Sequence, residues 1–74
     1  MGGMAKDIRI QLAHQIKGLR KKHSLTQDEL ADRSGISTKY LQNLEGKNPK
    51  KATIVTLQKL ADGFKITPSK LLEF

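Results

Sequence analysis

Cysteine and tryptophan are absent from this 74-residue chain, proline occurs twice, and Tyr40, Phe64 and Phe74 are its only aromatic residues. Without cysteine there is no disulfide framework, no thiolate metal site and no cysteine nucleophile, and the redox compartment is left open. No apolar run approaches the roughly 18 residues needed to cross a bilayer, and the N-terminus lacks the apolar stretch of a signal peptide. A soluble intracellular protein is expected. Acidic residues are scarce: 7 Asp and Glu stand against 14 Lys and Arg, a formal charge of +7. Such an excess on so short a chain points to a polyanionic partner. The length allows one domain with one small core and excludes a two-lobed enzyme closing on a deep cleft. Met1, Gly2 and Gly3 precede a second methionine, Met4, so residues 1–5 read as a disordered tail or cloning remnant and residues 6–74 as the domain.

What is present is helical. From about Lys6 to His23, Ile8, Leu12, Ile16 and Leu19 recur at intervals of four, four and three, which places them on one stripe of a helix. Thr26, followed three residues later by Glu29, forms a capping box that opens a second, two-turn helix with Leu30 and Ala31 inward. Gly35 suits a sharp reversal. Ser37 caps a third helix with Leu41 and Leu44 inward and Gly46 at its end, and Ile36 is placed to staple onto Leu41. Thr53 caps a fourth, with Ile54, Leu57, Leu60 and Ala61 inward and Gly63 expected at its end. The β-branched run from Thr53 to Thr56 has strand character, but the apolar spacing from Ile54 to Ala61 favours the helix. Thr67 and Pro68 open a short fifth helix whose inner residues are Leu71, Leu72 and Phe74. The expected fold is all-α with five helices.

Across Gln27 to Gly46, alanine stands fifth, glycine ninth, and apolar residues fourth, tenth, fifteenth and eighteenth. Ala31 is small where the third helix crosses the second at close range, and Gly35 makes the turn. This register is that of a helix-turn-helix. At these residues the chain resembles the helix-turn-helix family of phage repressors and Cro proteins, and the likeness extends over LTQDELADRSGISTKYLQNLEGK, TLQKLADGF and PSKLLEF. The resemblance implies a five-helix domain of lambda-repressor type in a bacterial or phage transcription regulator, with a recognition helix over about residues 37–46 in the major groove. It extends to restriction-modification controllers and to antitoxins that share the domain.

On the third helix the outward arc holds Lys39, Gln42 and Asn43, with Thr38 at its first turn. Lysine suits the O6 and N7 acceptors of guanine, and Asn or Gln pairs with adenine N6 and N7. The family's base readers fall on Thr38, Lys39 and Asn43. Phosphate contacts are expected from Gln27 at the start of the second helix, where free N–H groups favour an anion, from the basic loop with Lys47, Asn48, Lys50 and Lys51, and from Tyr40, for which core packing is the alternative. The resemblance also implies an ion pair between Arg20 and Glu45. Asp28, Glu29 and Asp32 read as structural, since carboxylates in a helix's first turns complement its dipole.

His14 and His23 lack partners for a metal site, the residues before Gly46 and Lys47 lack the pattern of a phosphate loop, and no hydroxyl residue has an evident histidine partner. No enzyme activity, metal or cofactor is expected. The expected function is sequence-specific binding of double-stranded DNA in the bacterial or phage cytoplasm, associated with the nucleoid, as a homodimer on a palindromic operator. Dimerisation is expected through the fifth helix and C-terminus, with Val55 and Phe74 as apolar contacts. The alternatives are a protein-interaction module of the multiprotein-bridging-factor type, and RNA binding, which the shortage of aromatics disfavours.

Overall fold

The computed structural model describes residues 7–74, so the expected tail at residues 1–5 lies outside the described residues. Among the described residues there are five helices and no strand: α1 (Ile8–Lys22), α2 (Gln27–Ser34), α3 (Thr38–Glu45), α4 (Ile54–Phe64) and α5 (Pro68–Leu71). Each begins at a side-chain cap. Asp7, Thr26, Ser37, Thr53 and Thr67 accept from the backbone N–H of Arg9, Glu29, Tyr40, Thr56 and Lys70 respectively, satisfying donors that the first helical turn leaves free. Among the described residues, no helix is long and apolar enough to cross a membrane.

The core gathers one face of every helix. Ile16, Leu30, Leu41, Leu60 and Leu71 are fully buried, joined by Leu12, Leu25, Ala31, Leu44, Ala61 and Phe64. Four apolar positions expected to turn inward are instead exposed: Ile8, Ile54, Leu72 and Phe74, with Ile54 at 84%. Ile8 and Ile54 open their helices and Leu72 follows the last one. Spacing assigns a residue to a face, but a terminal turn is covered only if a neighbouring element reaches that far.

Three helices end in one motif, with the first residue past the helix or its cap left-handed and the next one apolar. After α1 the left-handed residue is Ser24, after α2 Gly35 and after α4 Lys65, with φ of 57°, 72° and 59°. In each case the next residue turns its N–H back onto the helix: Leu25 to Arg20 O, Ile36 to Ala31 O and Ile66 to Ala61 O, at 2.8, 3.1 and 2.9 Å. This is the Schellman arrangement. The apolar residue that follows each left-handed turn, Leu25, Ile36 or Ile66, packs on the core.

Gly63, expected to end α4, therefore does not. It is buried inside the helix, one residue before the last. Its role is close approach: a Cβ there would overlap the Ser34 hydroxyl and lie 3.3 Å from both Ser34 Cβ and Ser34 N. The backbone of α4 thus passes directly against the end of α2, and this contact helps seat the second helix.

These two positions predict opposite effects. Gly63→Ala should destabilise the fold by roughly 1–3 kcal/mol, because α2 and α4 must separate. Lys65→Gly should stabilise it by about 0.5–1 kcal/mol by relieving a side chain held in left-handed backbone. Denaturant midpoints of the two variants against the parent chain check both signs.

Candidate nucleic-acid interface

The two helices and the turn between them are fixed at every joint. The capping box is complete: Glu29 N donates to Thr26 Oγ1 at 3.1 Å and Thr26 N donates to Glu29 Oε1 at 2.9 Å. The Thr26 N–H, with help from its hydroxyl and from Arg33, holds the Glu29 carboxyl below the usual carboxylate range. A depressed carboxyl stabilises the folded chain above its unfolded value, so this contribution is present at neutral pH and fades as the pH falls through the lowered value. At the far side of the turn, Ser37 Oγ accepts from Tyr40 N at 3.0 Å and opens α3.

The buried side of α3 carries Leu41, Leu44 and, unusually for a carboxylate, Glu45, which is 4% exposed. Arg20 of α1 meets it with two parallel bonds: Nε donates to Glu45 Oε2 and Nη2 to Glu45 Oε1, both at 2.8 Å. Planar guanidinium and carboxylate match in this geometry. A third arginine nitrogen, Nη1, donates to Leu25 O at 3.1 Å. Gln27 of α2 completes the cluster, its Nε2 donating to Glu45 Oε1 at 3.1 Å. Three helices thus converge on one carboxylate.

With that face committed, α3 turns Lys39 and Gln42 to solvent, and Asn43 is half-buried beside them. The half-buried Thr38 is engaged locally: its hydroxyl donates to Asp28 Oδ1 at 2.8 Å, linking the first turns of α3 and α2. Tyr40 is half-buried against the core, and its hydroxyl lies 3.3 Å from Thr56 Oγ1 of α4, the packing alternative of its two readings. Lys47, Asn48, Lys50 and Lys51 are all exposed on the loop after α3, whereas Pro49 between them is buried.

Arg9 accounts for the loop's anchorage. Its Nη1 donates to Pro49 O at 3.2 Å, and Asp7 holds the rest of the guanidinium through Nε at 3.1 Å and Nη2 at 2.6 Å. The arginine side chain, then the Arg9 backbone N–H, lowers the Asp7 carboxyl from its ordinary value, and the bond to that carboxylate raises the Arg9 value. Sequence reasoning did not find Arg9, the Asp28 partner of Thr38 or the Gln27 bond to Glu45. Arg9 and Pro49 are 40 residues apart and carry no shared pattern. Among the described residues no group of His, Asp and Glu is placed to hold a metal.

The helix-turn-helix family model matches residues 16–71. An uncharacterized HTH-type transcriptional regulator of Sinorhizobium fredii is 33% identical over 66 residues, covering 89% of this chain and 84% of that protein. Among solved structures, the restriction-modification controller protein C.AhdI from Aeromonas hydrophila superposes with a TM-score of 0.79 at 27% identity, over 85% of this chain and 94% of that one. C.Esp1396I bound to a 19 base pair DNA duplex superposes with a TM-score of 0.82 at 24% identity, over 92% of this chain and 89% of that one.

Removing the cation from the buried cluster isolates a charge. Arg20→Ala should cost roughly 3–5 kcal/mol, since Glu45 is left buried and unneutralised, while the double change Arg20→Met with Glu45→Leu should cost much less. Chemical denaturation of the parent chain, the single variant and the double variant tests this, and equal midpoints for single variant and parent would sink it.

Proposed function

This chain belongs to the helix-turn-helix family, and from that premise we propose that it is a DNA-binding transcriptional regulator of the bacterial or phage cytoplasm that occupies an operator through α3. One observation carries the reading: α3 is held on its inner side by Leu41, Leu44 and Glu45 while Lys39, Gln42 and Asn43 face outward without side-chain hydrogen bonds to the rest of the described chain. These three, with Thr38, are the base readers. Lysine is matched to guanine, and Asn43 and Gln42 are matched to adenine. Lys47, Asn48, Lys50 and Lys51 grip phosphate on one side of the groove. Gln27 offers the free backbone N–H groups of the α2 start, and the formal charge of +7 supplies the long-range attraction. Tyr40, its hydroxyl 3.3 Å from Thr56 Oγ1, takes the packing role.

A second copy supplies the second half of the grip. One reading helix spans only a few base pairs, and dimers of this motif read two half-sites one duplex turn apart. The surface for pairing is the C-terminus together with the start of α1. Ile8 and Leu72 line one apolar groove, Ile10 and Phe74 line another, and Val55 is exposed on α4. Gln15 pins this end, its Nε2 donating to Leu71 O and Glu73 O, both at 3.1 Å.

Lys39→Ala and Asn43→Ala should each lose roughly 1–3 kcal/mol on the cognate duplex and far less on random DNA. Lys50→Ala should weaken all duplexes alike and reduce the salt slope by about one unit. Binding isotherms on cognate and scrambled duplexes at several salt concentrations measure both. Equal losses on the two duplexes would refute the reading face.

The pairing surface predicts that Leu72→Glu abolishes two-subunit occupancy of the operator while leaving the monomer folded. Sedimentation with and without DNA reads the stoichiometry, and the two reading helices of the parent dimer should lie about 34 Å apart. One subunit per operator for the parent chain would refute the dimer.

A further inference from the structure

Thr38 is the one expected base reader whose polar group is already engaged. Its hydroxyl donates to Asp28 Oδ1 at 2.8 Å, and the two residues line one open groove with Gln27 and Gln42, where the first turns of α2 and α3 meet. A threonine hydroxyl has one hydrogen to give and two lone pairs, and a carboxylate can only accept. While Asp28 holds that hydrogen, Thr38 Oγ1 has only lone pairs left to offer.

We propose that Asp28 is a specificity-determining residue that fixes Thr38 as an acceptor, so that the base facing Thr38 is one with a major-groove amine, cytosine N4 or adenine N6. The inference rests on the reading of α3 as the base-reading helix. The amines of cytosine and adenine are the major-groove donors; guanine O6 and N7 and thymine O4 are acceptors. An acceptor opposite Thr38 would face a lone pair and, beside it, the Asp28 carboxylate. Both groups reject it.

Asp28→Ala tests the polarity, because with no side-chain acceptor at position 28 the threonine hydrogen is free to turn to the base. Bound duplexes are selected from a randomised library by the full chain and by its Asp28→Ala, Thr38→Val and Asn43→Ala variants, with melting midpoints recorded for each. The parent should prefer cytosine or adenine over guanine or thymine by about tenfold at one position. Thr38→Val and Asp28→Ala should each abolish that preference and leave the other positions unaltered. Asn43→Ala should relax a different position. If Asp28→Ala selects the parent's base there, or if Thr38→Val weakens all duplexes equally as a phosphate contact would, the assignment is overturned. If Asn43→Ala also leaves the whole motif intact, the reading of α3 itself has failed.

Discussion

Everything that α3 presents to solvent depends on how its last turn is held, and that turn is held by one buried carboxylate. Glu45 receives Arg20 from α1 and Gln27 from α2. A pair with one buried partner gives little net stability compared with apolar packing, because Glu45 is stripped of water and Arg20 loses much of its own. Its value here is directional. Leucines at Leu41 and Leu44 would tolerate a small rotation of α3 about its axis, whereas the forked bond to Arg20 tolerates very little. The angle at which Lys39, Gln42 and Asn43 leave the surface is thereby set from the opposite side of the helix.

The remaining restraints act on the same two helices. Gly63 lets the backbone of α4 pass against Ser34 at the end of α2. The left-handed turn at Gly35 drops Ile36 onto the core. Thr38 reaches back to Asp28. Four contacts of different chemistry thus leave α2 and α3 with one arrangement, consistent with a surface that must match a rigid duplex.

Much of this was legible in the residue pattern. Caps at Thr26, Ser37, Thr53 and Thr67 are local, since each bonds within three residues, and they were read correctly. Gly35 was read correctly because a left-handed residue between two short helices leaves few other choices. Gly63 was misread as a helix end because glycine serves two purposes, and only the approach of Ser34 from another helix tells them apart. Lys65, which takes the left-handed turn instead, carries no composition signal. The Arg20 and Glu45 pair was legible only through the family resemblance. Arg9 with Pro49 and Asp28 with Thr38 were not legible at all, for a bond between distant positions leaves no periodicity. The outward positions of Lys39 and Gln42 followed directly from the turn angle of a helix.

The anchorage of the basic loop also bears on its thermodynamics. A loop with four exposed long or polar side chains would ordinarily fluctuate, and gripping a ligand would then require freezing its backbone at about 1–2 kcal/mol per residue. Here Arg9 clamps the carbonyl of Pro49 at the loop's centre and the proline ring is buried. Much of that ordering is completed when the chain folds, so a ligand held by the lysines on either side would cost little beyond their own rotamer freedom.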